Sequence, residues 1–596
     1  MGGVGVPARA ASPWGSAVAL VAAAVLHLVA QSFVLASGFP RSFRAFVLTD
    51  QLGYLAMVTE VASGDPARQE PYTGSGLNTY PNGYYGLVGG VAHALDLGPT
   101  TAWNLVGLGI QATMVVVLGW LVVRLTGRSW AAFAVPLTFL TGVLAWILAP
   151  GQWRVPFQFH SAVWGPYGVF APLNAETGGL ALGVIAFALL GHAWLLPASR
   201  RVRLGTGLVA AVLIGATASA QTYSFLSLVY VAVAVAAAWG VLSHRPRLLV
   251  PLTLALVALV YAVGPILPVG QLPLLAIGLL PAIPGLVVGL IRSRGQLALV
   301  GALLAVGAAP QIVTTLRDVA SGDPFLAYRV AQAHPLGVGW QAVVAALPLA
   351  IPLVGVLVLA LRTERRALAA VAAGILAVWP YVATNDVWGA HAEPYRFWID
   401  VAVVAAAVVP VGVAALAEHA SKRAFRILVV MWLALLALTL PDYVRWAGDP
   451  DVQSLWPTTS SRMVAVREAA RPAVDSGKLM LTDPCTDPQT TKVVAGVGLA
   501  YYREGMAWPA NKEAIDRAMS SRVKGLNVQM LLGADVGWVL TDSACRVDWM
   551  SQVVDDLDRV AGVAYVAEPG VLQGSAEPAG DADPDQEMIL WRVRGW

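Results

Sequence analysis

The residues able to do chemistry lie in four polar segments set between long apolar runs. The first, residues 49–86, reads TDQLGYLAMVTEVASGDPARQEPYTGSGLNTYPNGYYG. It opens on Asp50 and Gln51, carries Glu60 on an amphipathic run from Gln51 to Val61, and ends in a cluster holding Tyr80, Tyr84 and Tyr85. The second, 149–176, holds Trp153, Arg154, His160, Trp164, Asn174 and Glu176. The third, 317–338, holds Arg317, Asp318, Asp323, Tyr328, Arg329 and His334. The fourth, 384–396, reads TNDVWGAHAEPYR and holds Asn385, Asp386, His391, Glu393, Tyr395 and Arg396. Together they supply carboxylates suited to general-base work, Arg and His suited to gripping a phosphate, and aromatic faces on which a sugar ring stacks. Arg suits phosphate because its planar fork donates paired, charge-assisted hydrogen bonds. At a membrane surface such a group grips a lipid-linked phosphate whose tail stays in the bilayer.

Each residue also has a structural reading. Asp50 and Thr49 are good N-cap residues for a helix beginning at Gln51. Glu60 suits the solvated face of that helix. Tyr80, Tyr84 and Tyr85 suit acceptor binding or anchoring at a membrane interface. Arg396 suits a phosphate or snorkelling to headgroups, and its neighbours His391, Glu393 and Tyr395 favour the phosphate. Arg154, His160 and Glu176 suit a loop salt-bridge set as well as a site. Gln221 and Tyr223 are expected to satisfy each other or the backbone in a helix turn. The histidines are scattered without an HxxxH spacing, so no zinc site is expected.

The elements that position these groups are membrane helices. Charged residues make up 12% of the 596 and hydrophobic ones 57%, against about 25% charged in soluble domains. The chain reads as an α-helical polytopic membrane protein. Its net charge of +3 is too small to point to nucleic acid. Apolar stretches lie at 14–36, 101–123, 129–148, 177–197, 205–221, 223–242, 248–267, 271–291, 297–316, 339–361, 367–383, 397–417 and 424–441. That makes about thirteen spans. The run 14–35 is longer than a signal-peptide core and is expected to stay as the first helix. Short loops carrying Arg124 and Arg128, Arg200, Arg201 and Arg203, Arg292 and Arg294, or Lys422, Arg423 and Arg426 mark the cytoplasmic side. The N-terminus is then inside. Loops 37–100, 149–176, 317–338 and 384–396 are outside, as is everything after 441. Span interiors are nearly free of ionisable residues, with His27 ambiguous, so the chemistry is expected on one face.

Residues 1–441 are therefore expected to form the membrane domain and 442–596 an extracytoplasmic α/β domain. In the latter, KLMLT (478–482), VGWVLT (536–541), 563–566 and 588–593 read as strands, and 458–475, 511–524 and 547–560 as helices. Both cysteines of the chain, Cys485 and Cys545, follow matched Leu-Thr-Asp strand ends, LTDPC and LTDSAC. Neighbouring strands would bring the sulfurs together, and an exported domain sits where disulfides persist. The other reading is two free buried thiols.

At this point the chain resembles a family. An outer loop opening on Asp, many spans, basic inner loops and an exported tail are similar to the GT-C glycosyltransferases, which use polyprenyl-phosphate sugars on the outer face of a membrane. More narrowly, TDQ followed by TYPNGYYGLVGGVAHALDLGPTTAWNLVG resembles the actinobacterial cell-wall arabinofuranosyltransferases. Gln51 stands where some GT-C enzymes carry a second acid. The resemblance implies inverting transfer at the plasma membrane, to a glycan or glycolipid acceptor. Asp50 would be the general base. Arg396 with His391, and Arg329 with His334, would meet the donor phosphate. Gln51, Tyr80, Tyr84, Tyr85, Trp153, Trp164 and Glu176 would bind acceptor or sugar. The scheme calls for no cofactor and no metal, because cationic side chains can meet a monophosphate. The competing functions are a flippase of lipid-linked sugars, a non-catalytic envelope assembly protein, and a glycan ligase acting on undecaprenyl diphosphate.

Overall fold

The computed structural model describes residues 12–32, 43–44, 48–65, 68–142, 165–197, 199–244, 246–332, 337–338, 340–448, 455–456, 460–545, 554–566 and 586–596. The chain divides into two compact units. One holds Met1–Phe33 and Gly107–Val452, and the other Val34–Val106 and Gln453–Trp596. The first loop, expected with residues 1–441, thus groups with the tail, and residues 442–452 group with the helices.

Among the described residues twelve helices are long and apolar enough to cross a membrane. The difference from thirteen lies at 129–148. The described helical segment there, Ser129–Phe139, reaches about 19 Å against a hydrocarbon core of ~30 Å. Residues 143–148 lie outside the described ones. The apolar stretches between 205 and 291 become four spanning-length helices, Arg200–Ser219, Thr222–Ser243, Pro246–Ile266 and Gln271–Arg292.

In the first unit, helices approach through small residues. A methyl on Gly240 would collide with the Gly285 carbonyl, and one on Gly285 with that of Ala237. Lipid tails are as apolar as the helices, so close backbone packing takes over as the force that joins them. The helix Pro394–Leu416 is buried along nearly its whole length, which makes it the centre of this unit. His27 is buried, with Nε2 2.9 Å from Gln111 Oε1, and it packs edge-on to Phe139 and Phe170. It is a satisfied core histidine. Arg317 and Asp318 fall inside the helix Gln296–Ser321 instead of a loop, and Tyr328 and Arg329 ride on a second helix, Pro324–Gln332.

In the second unit, a two-residue strand β1 (Phe43–Arg44) pairs antiparallel with β2 (Leu455–Trp456). The helix Leu48–Ala62 packs on the helix Gly83–Leu95 at Gly89, where a methyl would lie 2.8 Å from the Val58 carbonyl oxygen. The tail builds a four-stranded sheet from β3 (Leu479–Thr482), β4 (Val536–Asp542), β5 (Leu557–Tyr565) and β6 (Gln586–Val593), in the order β3-β4-β6-β5. Strands β3 and β4 are parallel, with Thr482 opposite Leu540. Such a pair needs a crossover, and the helices Pro488–Ala495, Lys512–Lys524 and Val528–Gly533 supply it. The parallel register carries both Leu-Thr-Asp ends to one edge, where Cys485 and Cys545 are joined with Cα atoms 5.7 Å apart. The expected helix 547–560 is corrected over its described end: a single 3-10 turn at Val554–Asp556 leads straight into β5.

Candidate functional site

Two polar clusters gather the candidate residues, one in each unit. In the first unit the cluster is built on the segment entering Pro394–Leu416. Asn385 closes that loop on itself: its Oδ1 accepts from Ala392 N at 2.6 Å and its Nδ2 donates to Val382 O at 2.9 Å. Trp388 is fully buried and donates to Tyr381 O at 2.8 Å. The loop ends in a left-handed Glu393 (φ 43°) just before Pro394 begins the helix. Left-handed backbone at a glutamate is uncommon, and here the carboxylate meets the first turn of the helix. Glu393 Oε2 takes the Tyr395 hydroxyl at 2.7 Å and the Arg396 Nε. Burial alone would push this carboxyl up. The Arg396 guanidinium, the Tyr395 hydroxyl and the charge of Arg329 outweigh it and hold the group down at about 2.

Arg396 is thus held, not loose. Its Nη1 lies 3.5 Å from Glu176 Oε2, and its guanidinium lies 5.6 Å from the Tyr223 ring centre and 5.7 Å from that of Tyr395. Glu176 is brought here because Asn174 caps its helix, accepting from Glu176 N and Thr177 N at 3.1 Å. Gln221 likewise caps the helix that carries Tyr223. One turn below Arg396, Asp400 is fully buried and accepts from Ser227 Oγ at 2.8 Å. Its Oδ1 has no partner among the described residues. The structure therefore brings together Arg396 and Glu176 from the expected set, with Glu393 and Asp400 beside them, while Arg329 adds its charge toward Glu393 from its own helix. His391 is exposed, and what it contributes is its carbonyl, which accepts from Gln271. His334, Trp153 and Trp164 lie outside the described residues.

In the second unit Asp50 sits in the first turn of Leu48–Ala62, where the helix dipole favours a carboxylate. The helix begins at Leu48, so Asp50 is inside it and is not its N-cap. Its carboxylate is paired with Arg503. Gln51 is buried beside it, and Gln51 Oε1 has no partner among the described residues. Tyr80 and Tyr54 share a hydroxyl contact at 2.9 Å. Tyr84 and Tyr85 are 3% and 1% exposed, and Tyr85 is stacked between Tyr54 and Trp103. Both rings also pack against Trp103, Tyr84 edge-on and Tyr85 face to face.

Glu60 is also corrected. It is buried and ion-paired with the more deeply buried Lys492, whose Nζ donates to Val497 O at 3.0 Å. Burial pushes the Glu60 carboxyl up and the Lys492 ammonium opposes this. Glu70 is wholly buried and accepts from Tyr72 N at 3.0 Å, Thr73 N at 2.7 Å and Thr73 Oγ1 at 2.6 Å. Its carboxyl is pushed up to about 7 by burial, against the pull of those hydrogen bonds. Sequence reasoning missed Arg503, Lys492, Glu70 and Asp400. Only Asp400 carried a signal, as a lone acid in the apolar run FWIDVAVV.

No protein-family model and no curated protein sequence matches the chain. Solved structures do. The apo oligosaccharyltransferase of Archaeoglobus fulgidus matches over 89% of this chain and 70% of its own, at 12% identity and a TM-score of 0.48. ArnT from Cupriavidus metallidurans, bound to undecaprenyl phosphate, matches over 97% and 98%, at 14% identity and a TM-score of 0.46. The arabinofuranosyltransferase AftD from Mycobacteria matches over 98% of this chain at 14% identity and a TM-score of 0.51, and this chain spans 40% of its length. At that identity the likeness is one of fold: a GT-C-like, multi-pass helical architecture with a small C-terminal sheet domain.

Proposed function

We propose that this chain is a membrane glycosyltransferase that moves a sugar from a polyprenyl-phosphate donor to a cell-envelope glycan or glycolipid, with arabinofuranose as the sugar. The observation that carries it is Arg396, oriented by Glu393 at the entrance of the most buried helix, with Arg329 acting on the same carboxylate. A guanidinium fixed in advance needs no reorganisation when charge develops on a leaving phosphate. The 3.5 Å contact with Glu176 is the one an arriving phosphate exchanges. The fold likeness to an arabinofuranosyltransferase supports the same reading. Asp50 is the general base: it accepts the proton of the acceptor hydroxyl as that oxygen attacks the anomeric carbon, with inversion. Catalysis is proposed on the extracytoplasmic face of the plasma membrane, with the N-terminus cytoplasmic and the disulfide-bearing tail outside.

The test is transfer by the purified chain in nanodiscs, using radiolabelled polyprenyl-phosphate sugars with an envelope extract as acceptor. Labelled product from the arabinofuranose donor, abolished in Asp50→Asn while the variant unfolds like wild type, is the expected result. Product from another donor alone would overturn the sugar. Product undiminished in Asp50→Asn would overturn the base. Donor crossing the bilayer with no product formed would replace the enzyme with a flippase.

A further inference from the structure

We propose that Arg503 is the positioning residue for Asp50: it holds one carboxylate oxygen, Oδ1, and so presents the other to the acceptor hydroxyl. The proposal rests on Asp50 acting as the base. The guanidinium meets Oδ1 through Nη2, and the two side chains keep 20% and 39% of their exposure, Arg503 the less. The carboxylate is thus the more accessible member of the pair. Oδ2 takes no hydrogen bond from the described residues.

The helix is shaped to receive this arginine. Gly53 lies one turn beyond Asp50, and a Cβ there would sit 3.0 Å from Arg503 Cδ and 2.5 Å from Met506 Sδ. The bare backbone at Gly53 is the bed along which the Arg503 stem runs. The segment bearing Arg503 is fixed on both sides. Met506 N donates to Arg503 O at 3.0 Å, which closes a turn after it. Before it, the Tyr502 hydroxyl donates to Asp516 at 2.7 Å, and Tyr501 packs edge-on to Tyr72. A half-open ion pair contributes little to stability, so stability alone does not account for a glycine cradle and an anchored turn. Orientation does. A carboxylate free to rotate points a lone pair at the acceptor only part of the time, and one held at a single oxygen by a charge-assisted hydrogen bond rotates less.

The experiment uses the full chain in nanodiscs, polyprenyl-phosphate arabinofuranose and an envelope extract. It compares Arg503→Ala, Arg503→Lys, Gly53→Ala and Asp50→Asn, each checked for thermal unfolding. Arg503→Ala is expected to lower kcat on the order of 10²-fold, the size seen for small misplacements of a reacting group, with KM for donor and acceptor near wild type. Added guanidinium is expected to restore part of that rate, and Arg503→Lys to keep part of it. Gly53→Ala displaces the stem without removing the charge and is expected to fall between. In an Asp50→Asn background Arg503→Ala should cost nothing further. Wild-type kcat in Arg503→Ala, with Asp50→Asn inactive, overturns the proposal and leaves the base intact. Loss without guanidinium rescue, equal in Ala and Lys, also overturns it. Wild-type transfer by Asp50→Asn refutes the base, and the positioning role falls with it.

Discussion

Replacing Lys492 by Met should destabilise the second unit more than a typical single substitution. The Lys492 side chain is 3% exposed and its ammonium has two partners, the Glu60 carboxylate and the Val497 carbonyl. Methionine keeps the volume and the apolar stem but strands Glu60, whose side chain is 12% exposed. Removing one member of a buried pair costs about 3–5 kcal/mol, because the remaining charge is left in a poor solvent. For a unit of this size one kcal/mol moves Tm by about 2–4 °C, so the expected drop is roughly 6–20 °C. The double variant Glu60→Leu/Lys492→Met removes both charges and should recover most of the loss. The single variant should also suffer less in acid. Burial already raises the Glu60 carboxyl, and without Lys492 it folds most easily protonated, so the deficit should shrink as pH falls toward the ordinary carboxylate range. The assay is thermal unfolding of the full chain in detergent, followed by Trp fluorescence and by protease cleavage within the tail. A Tm for Lys492→Met within a degree or two of wild type would refute the reasoning. So would a double variant no more stable than the single one.

Glu70 should make stability fall as pH rises. Its folded value of about 7 lies above its unfolded one, so its contribution is fully present below about 4.5 and lost as pH climbs through 7, by about 3 kcal/mol; Glu70→Gln should flatten the Tm-against-pH curve over that window. Replacing Cys485 and Cys545 by Ser, or adding reductant, should cost about 2–4 kcal/mol, since the bridge closes a loop of some sixty residues; an unchanged Tm after complete reduction would contradict this. Glu393→Gln should leave Arg396 without its charged Nε partner and reduce transfer on the order of 10²-fold, with the KM for donor raised, because the guanidinium is no longer held in place. Kinetics with unchanged KM and kcat would show that Glu393 does not orient it.

The legible parts of this chain were those set by local pattern. Spans follow from apolar runs, and the pairing of Cys485 with Cys545 follows from two like strand ends that a parallel register then aligns. The helix holding Asp50 was legible too, but not its start, because Asp50 is equally at home as a cap and as a first-turn acid. The misread segment before β5 mixes Asp and Val in a helical spacing, and its strand identity comes from pairing with β6, where Leu557 faces Val593. Burial of polar groups was the least legible feature. Glu60 reads as solvated until the helix Pro488–Ala495 brings Lys492 against it, and Asp50 meets Arg503 across 453 residues of sequence. Tyr84 and Tyr85 carry the same lesson in reverse: they look like an exposed aromatic face, yet both are buried against Trp103, and Tyr85 stacks on Tyr54 as well.

Asp400 bears on the choice between enzyme and flippase. An ionisable group inside a membrane helix is costly and marks function by default, so a buried aspartate in Pro394–Leu416 at first favours a transport path. Its depth argues otherwise. It lies four residues beyond Arg396, about 6 Å along the axis and on the same face, and Ser227 holds it there. Beyond it the helix continues as VAVVAAAVVPVGVAAL, with no ionisable side chain to its end. The polarity of this helix is therefore gathered at one end, with Glu393, Arg396 and Asp400 as successive steps of one cluster. A carrier that moves a charged headgroup across the bilayer needs polar footholds at several depths, and this helix, the most buried of the unit, offers none past its second turn. An enzyme that meets a phosphate at the surface needs only the entrance.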